Sequence, residues 1–264
     1  MIRDSGFTKH FNREFIIQDF PYFVPLEEME YNIEYAQRII DNGSIARHWR
    51  ERVELGGWRE MEQAGEAIAA HGGLILEICA GPAGGFSTAV LMKDYNAKIM
   101  LNDLCPTVLR EWQNFFKQTD NPPPNVEFAA FDVDDMPFAD NSLDVICGAD
   151  AVINLETDCH AALTEIYRVL KPGGLFVFDY MFVTEEYFKT LPEKARNTLK
   201  QEYPMMFWDY LQILDDMGFV IVEQIDEEIW SNENYNDGTL HETCRELGVS
   251  LTFVCFLRIC KKAA

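Results

Sequence analysis

From Leu74 onward the chain alternates short apolar runs with amphipathic segments, and this alternation limits the fold more than any other feature. Helical patterns, among them one that begins at Pro106 and one over residues 158–170, separate the apolar runs LILEIC, AKIMLN, VEFAAF, LDVICGA and LFVFDY. Apolar runs of strand length between helices predict βα units on a parallel sheet buried on both faces. Two later runs, FVIVEQI and LTFVCFLRIC, are expected to complete this sheet as an antiparallel edge.

The region before Leu74 has a different pattern. It is rich in aromatic residues and helical in periodicity, notably over residues 29–40 and 49–70, and Gly72 and Gly73 end the second run. We therefore expect two parts, an N-terminal helical cap over residues 1–72 and an α/β domain over residues 73–264. Further helical segments are expected between Thr184 and Met217.

The composition excludes several classes of function. A formal net charge of −22 repels phosphate backbones and anionic lipids, and no local basic patch is evident, so neither nucleic acid nor a membrane is an expected partner. The seven cysteines are scattered without metal-ligand spacing, which predicts reduced thiols and no metal. No apolar segment has the length of a signal peptide or a membrane span, which predicts a cytoplasmic protein. The oligomeric state is left open.

Chemistry-bearing residues follow the predicted strands. The first strand ends at Glu77 and leads into a glycine-rich turn, EICAGPAGG, where Gly81 and its neighbours let a ligand approach the backbone. Asp103 ends the second strand, where a carboxylate can accept hydrogen bonds from vicinal ribose hydroxyls, and Asp132 ends the third, where it can accept from an adenine amino group. Glu77 offers an acidic group for a cationic part of a ligand, and the alternative is a carboxylate that caps exposed amides.

The same residues carry a resemblance. Residues 74–179 resemble the class I S-adenosylmethionine-dependent methyltransferases, in the branch that acts largely on small molecules. The matching motifs appear in order, and they are E-x-x-x-G at Glu77, the acid at Asp103, D-x-x-x-x-P-F from Asp132, DNSLDVI from Asp140, and EIYRVLKPGG from Glu165. The resemblance implies a Rossmann-like, seven-stranded, mostly parallel sheet with an antiparallel last strand.

Carried over by position, the resemblance implies S-adenosyl-L-methionine as the cofactor and a set of residues around it. The methionine moiety is assigned to Glu77, Ala80 and Gly81, the ribose and adenine edge to Asp103 and Leu104, the adenine to Asp132 and Val133, and the ammonium group to the backbone carbonyl near Gly148. One departure is Ala83, which stands where many family members have a second glycine.

The acceptor side of the site has weaker signals. Asp150 is the candidate for orienting or deprotonating a substrate, with a loop or helix-cap role as its alternative. Asn154 stands where family members often carry a histidine. Four aromatic or apolar side chains are candidate walls of the substrate pocket, namely Tyr180, Met181, Trp58 and Trp208.

The sequence thus predicts transfer of a methyl group from S-adenosylmethionine to a nitrogen, oxygen or carbon atom of a small molecule. The absent histidine and Ala83 leave a second hypothesis open, a catalytically silent partner or regulatory subunit that keeps the cofactor cradle. A nicotinamide oxidoreductase shares the glycine-rich turn, but the chain reads GPAGGF instead of GxGxxG.

Overall fold

The computed structural model describes residues 6–17, 19–23, 37–38, 40–53, 59–82, 84–149, 151, 159–203, 205–231 and 239–263. Two short paired strands, β1 (Ile16–Ile17) and β2 (Pro21–Tyr22), precede a seven-stranded sheet. Its strands are β3 (Leu74–Glu77), β4 (Lys98–Asn102), β5 (Val126–Ala129), β6 (Leu143–Gly148), β7 (Leu170–Phe182), β8 (Phe219–Ser231) and β9 (Thr252–Lys262).

The described helices connect these strands. They are α1 (Ser44–Val53), α2 (Arg59–His71), α3 (Gly85–Lys93), α4 (Pro106–Gln118), α5 (Cys159–Val169), α6 (Glu185–Thr190), α7 (Glu193–Glu202), α8 (Phe207–Asp216) and α9 (Thr239–Leu247). The predicted helices between Thr184 and Met217 are therefore present as α6, α7 and α8. Helix α9 has no counterpart in the expectations drawn from the sequence.

The order of the strands in the sheet is β5-β4-β3-β6-β7-β9-β8. Strands β3 to β7 pair in parallel, whereas β9 is antiparallel to both of its neighbours, β7 and β8. This confirms the predicted mostly parallel sheet with a reversed last strand. The chain moves outward from β3 to β5 and then returns to β6, so the strand order reverses between β3 and β6. Ligands of open α/β sheets bind at such a reversal, beyond the carboxyl ends of the strands.

The sheet is buried on both faces, as its apolar strands require. Ile75 and Leu76 of β3 are at most 1% exposed and belong to different core clusters, because successive side chains of a strand point to opposite faces. The cluster around Ile75 includes Phe86 of α3, and the cluster around Leu76 includes Leu163 of α5. Helices therefore cover both faces.

Helix α2 packs tightly against the first helix of the α/β unit. A Cβ atom on Gly65 would lie 2.8 Å from atoms of Ala89 in α3, so the two backbones come close because residue 65 has no side chain. Gly72 and Gly73 follow α2 with φ angles of +68° and +86°, which agrees with their predicted role in ending the helix. Part of the N-terminal region is thus joined to the core of the sheet, and its description as a separate cap stays a prediction.

Residues 6–23 differ from the helical pattern expected of the N-terminal region. They form a 3₁₀ turn at Thr8–His10 and the strands β1 and β2. Phe11 forms an isolated bridge with Phe138, and Tyr22 forms one with Ala130. Long-range pairing of this segment with the end of β5 and the loop after it replaces local helix formation. We call residues 6–23 the N-terminal strap.

Three further properties concern membrane spans, disulfides and metal sites. None of the described helices is long and apolar enough to cross a bilayer. No disulfide joins any of the seven cysteines. Within the described ranges, no group of three or more His, Cys, Asp or Glu side chains is arranged to hold a metal ion.

Candidate functional site

The turn from β3 to α3 lies beside the reversal of strand order. Cys79, Gly81 and Gly84 have left-handed φ angles of +49°, +52° and +46°. Glycine adopts this conformation without steric cost, whereas a side chain makes it uncommon. The Ala80 amide donates to the Asn102 carbonyl at 2.8 Å, and the Gly84 amide donates to the Ala80 carbonyl at 2.9 Å. The turn is therefore tied to the end of β4 and curls back on itself.

Glu77 ends β3 and is 1% exposed. Its two carboxylate oxygens accept hydrogen bonds from the amides of Phe86, at 3.1 Å, and Ser87, at 2.9 Å. These amides belong to the first turn of α3, where backbone donors lack partners within the helix and the helix dipole favours negative charge. Glu77 therefore makes the contacts of a carboxylate that caps exposed amides, which was the alternative role considered for it. A contact with a cationic part of a ligand stays a prediction.

This cap limits what the turn can bind. Dinucleotide-binding turns place a pyrophosphate on the amides at the start of the helix. Here the Glu77 carboxylate already occupies the amides of Phe86 and Ser87, and a pyrophosphate there would meet a buried negative charge. The geometry therefore disfavours a nicotinamide dinucleotide and is compatible with a ligand that has no phosphate.

Asp103 stands directly after β4. One carboxylate oxygen accepts from the Gly81 amide at 3.0 Å and the other accepts from the Cys105 amide at 2.8 Å. Burial raises the pKa of this carboxyl above its usual value, although the two amide hydrogen bonds act in the opposite direction. A carboxylate has about four lone-pair positions, so two hydrogen bonds leave acceptor capacity for further donors. A pair of vicinal hydroxyls supplies such donors.

Asn102, which the sequence analysis did not single out, connects three strand ends. It is 0% exposed. Its side-chain amide donates to the carbonyls of Phe131, at 2.9 Å, and Ala129, at 3.3 Å, and its side-chain oxygen accepts from the Cys79 amide at 3.5 Å. The signal in the sequence was a polar residue at the end of a buried apolar run, next to the candidate acid. Asn102 holds the positions of the β3 turn and the segment after β5 relative to each other.

Trp112 of α4 packs under the same turn. Its side chain is 1% exposed, and the indole N–H donates to the Gly81 carbonyl at 2.7 Å. A Cβ atom on Gly84 would lie 2.6 Å from a ring carbon of Trp112. The indole therefore fixes the turn through a hydrogen bond and through close packing that only glycine permits at position 84.

Replacing Trp112 by phenylalanine should lower the free energy of unfolding by about 1 to 2 kcal/mol, because the Gly81 carbonyl loses its donor and the ring becomes smaller. Urea denaturation followed by far-UV circular dichroism measures the change. The matched control is Trp49→Phe, since Trp49 packs against Trp112 with a centroid separation of 6.4 Å and is not a donor to the turn. Equal losses in the two variants would contradict a special role for the Gly81 bond.

The other candidate cofactor residues lie around the same strand ends. The Asp132 carboxylate accepts from the Asp134 amide at 3.0 Å, and Val133 is 4% exposed in the core. Leu104 is partly buried beside Asp103. Gly148 ends β6, where a Cβ atom would lie 2.8 Å from Ile78. The structure thus brings the turn, Asp103 and Gly148 to the reversal point, which is the arrangement expected from their sequence positions.

The candidate acceptor residues are described only in part. Tyr180 is 1% exposed, its hydroxyl donates to the Met205 carbonyl at 2.7 Å, and its ring stacks on Phe182. Trp208 packs against Phe182 with a centroid separation of 5.8 Å, and Met181 pairs with the last strand. Four positions named above lie outside the described residues, namely Trp58, Ala83, Asp150 and Asn154.

Comparisons with known proteins agree with this geometry. Residues 78–178 match a family described as a methyltransferase domain. The chain is 32% identical over 106 residues to the ubiquinone/menaquinone biosynthesis C-methyltransferase UbiE of Rickettsia akari, a match that covers 40% of this chain and 38% of that protein. It is 27% identical over 196 residues to the sterol 24-C-methyltransferase of Kluyveromyces lactis, with 70% and 47% covered. The chain therefore spans less than half of the length of these two curated relatives.

A solved structure supports the fold. The crystal structure of a candidate methyltransferase from Bacillus halodurans superposes with a TM-score of 0.60 at 19% identity, over 77% of this chain and 99% of that one. At this identity the likeness concerns the fold alone. The strand order and the acidic strand ends around the β3 turn agree with the methyltransferase domain that residues 78–178, less than half of the chain, match.

Proposed function

We propose that this chain transfers a methyl group from S-adenosylmethionine to a nucleophilic atom of a small molecule. The proposal rests on the contacts of two carboxylates, Glu77 and Asp103, at the point where the strand order reverses. Glu77 occupies the start of α3, where a phosphate would otherwise bind, while Asp103 is a partly buried carboxylate with acceptor capacity beside the turn. An adenosyl ligand without phosphates suits both features.

The residues of this chain would hold such a ligand at several points. Asp103 would accept from the ribose hydroxyls, with Leu104 beside it, and Asp132 would accept from the adenine amino group while Val133 packs on the ring. The turn residues Ala80 and Gly81 and the carbonyl near Gly148 would line the methionine moiety. In each case the residues involved lie within four residues of the carboxyl end of β3, β4, β5 or β6, where such ligands bind in this class of sheet.

When bound, S-adenosylmethionine supplies an electrophilic methyl group on a sulfonium ion. The remaining work of the chain is to exclude water, orient the acceptor and, for some acceptors, hold or remove a proton. We propose Asp150 and Asn154 for orientation or proton removal and Tyr180, Met181, Trp58 and Trp208 for the pocket wall. The N-terminal 72 residues are proposed to cover the pocket and limit it to small molecules.

The acceptor atom is part of the proposal. The two curated relatives are named as C-methyltransferases, and their names favour a carbon atom over nitrogen or oxygen. The formal net charge of −22 favours a neutral or cationic acceptor over an anionic one. The cytoplasmic location and the exclusion of nucleic acid stay predictions from the sequence.

Ligand-dependent thermal unfolding tests the proposal. A ligand that binds only the native state at a hundred times its Kd adds about 2.7 kcal/mol, which raises Tm by roughly 5 to 10 °C in a chain of this size. We expect this shift with S-adenosylmethionine and with S-adenosylhomocysteine, and no shift with NAD. A shift with NAD alone would overturn the proposal. Binding of the adenosyl ligands without turnover across a broad panel of acceptors would instead support the silent-partner hypothesis.

A further inference from the structure

A cavity of about 420 Å³ lies at the opposite end of the sheet from the β3 turn. It opens at the amino ends of β3 and β4, and four residues of β3, about 13 Å at the usual rise per residue, separate it from the candidate active site. The ionisable groups that line it come from six separate positions, which are Lys9, His10, Asp94, Lys98, Asp144 and Lys171. The three lysines are far apart along the chain, so the sequence itself shows no basic patch.

One of the two acidic groups is already neutralised. The Asp144 carboxylate accepts from the Lys171 ammonium at 2.7 Å and from the Leu74 amide at 2.8 Å. Burial acts to raise the pKa of Asp144, but these two hydrogen bonds outweigh it and lower the pKa. The charge of Lys171 is therefore balanced inside the cavity wall.

The remaining cations are not balanced in the same way. Lys9 and Lys98 are exposed, and neither forms an ion pair with an acid in the described part of the chain. The pKa of His10 is lowered, first by burial and then by repulsion from Lys9 and Lys171, against an opposing attraction from Asp144. Three lysines, Lys9, Lys98 and Lys171, thus line the cavity against two carboxylates, those of Asp94 and Asp144, which leaves a formal positive excess in a chain whose overall charge is strongly negative.

We propose that this cavity binds the phosphate group of a small molecule, with Lys9 and Lys98 as the main cationic contacts. Lysine binds phosphate as a compact point charge and needs no fixed orientation. The cavity has room for a phosphate monoester, and it brings Lys9, Lys98 and Lys171 together from three distant parts of the chain. The site is separate from the proposed methyl-transfer site, so each can fail without the other.

The imidazole of His10 reports on this site directly. Its pKa is measured by NMR titration in sodium phosphate and in sodium chloride at equal ionic strength, with His10→Gln to assign the signal. We expect a saturable upward shift of the His10 pKa in phosphate, because a bound anion stabilises the imidazolium. The signal of His160, on α5, should show no such shift. The same titration with glycerol 3-phosphate tells a phosphate ester from free phosphate, and tighter binding of either supports the proposal.

Charge-neutral variants test the lysines. Lys9→Gln and Lys98→Gln should each weaken phosphate binding about three- to fivefold, the size of an exposed ion pair, and the double variant should weaken it about 10- to 25-fold if the two contacts are independent. Lys117→Gln, on α4, is the matched control and should bind like the parent chain. Identical His10 titrations in phosphate and chloride, a phosphate affinity unchanged in the double variant, or equally tight binding of malonate would each overturn the proposal.

Discussion

Replacement of Asn102 by leucine should lower the free energy of unfolding by about 3 to 5 kcal/mol, because three buried backbone groups lose their partner at once. Leucine has nearly the shape of asparagine, so the loss reports hydrogen bonds more than volume. The Phe131 and Ala129 carbonyls would lose a donor and the Cys79 amide an acceptor. All of this occurs at a side chain that water does not reach, so solvent cannot replace the missing bonds.

Urea denaturation measures this loss, and Asn125→Leu is the matched control. The Asn125 side chain also donates to a backbone carbonyl, that of Asn96, at 2.7 Å, but the bond is exposed. We expect less than about 1 kcal/mol in the control because water substitutes for the lost donor. A similar loss at both positions would mean that the bonds of Asn102 do not hold the strand ends together.

The position of Asn102 explains what the sequence could predict and what it could not. Strand periodicity placed β4 correctly, because five consecutive residues are enough to indicate a buried strand. The same pattern gives no information on which carbonyls a buried amide reaches, since its partners are 27 and 29 residues away. Asp103 and Asp132 could be proposed as ligand-binding acids only because each follows a predicted strand, and the carboxyl ends of parallel strands meet at one edge of the sheet.

The fold of the N-terminal strap, unlike that of β4, was not predicted from the sequence. Its contacts with distant residues are aromatic packing, such as that of Phe11 on Phe138, single bridges, and polar bonds, such as Asn12 to the Phe138 carbonyl at 2.9 Å, across 126 positions. Arg13 pairs with Asp135 in the same region. Such contacts follow no sequence periodicity, so the sequence of this segment could indicate only that it is rich in aromatic residues. The cavity at Lys9, Lys98 and Lys171 was missed for the same reason.

Replacement of Asp103 by asparagine has the largest expected effect on ligand binding. In the protein without ligand, burial raises the pKa of Asp103 in the folded state. A group with a raised folded pKa stabilises the fold fully below its unfolded pKa, and this contribution is lost as pH rises through the folded pKa. The free energy of unfolding should therefore contain a component that grows as pH falls from neutrality toward the ordinary carboxyl pKa of 3.8. This component should be absent in Asp103→Asn.

The same substitution should lower the affinity for the adenosyl ligand. The asparagine oxygen can still accept from one of the two amides that Asp103 now holds, those of Gly81 and Cys105, so the turn should keep its shape. Loss of a charged acceptor should nevertheless weaken S-adenosylhomocysteine binding by about 10- to 100-fold, or roughly 1.5 to 3 kcal/mol. Isothermal titration calorimetry measures this, with Asp120→Asn as an exposed control that should bind normally.

The two measurements on Asp103 are informative together. Each of the two Asp103 oxygens accepts from one amide, whereas asparagine has a single acceptor oxygen, so stability and affinity together separate the role of the carboxylate in the turn from its role in ligand binding. If Asp103→Asn is stable at neutral pH and yet binds S-adenosylhomocysteine weakly, the desolvated charge serves the ligand. If it binds with unchanged affinity, Asp103 serves the turn alone, and the ribose contact must be sought elsewhere.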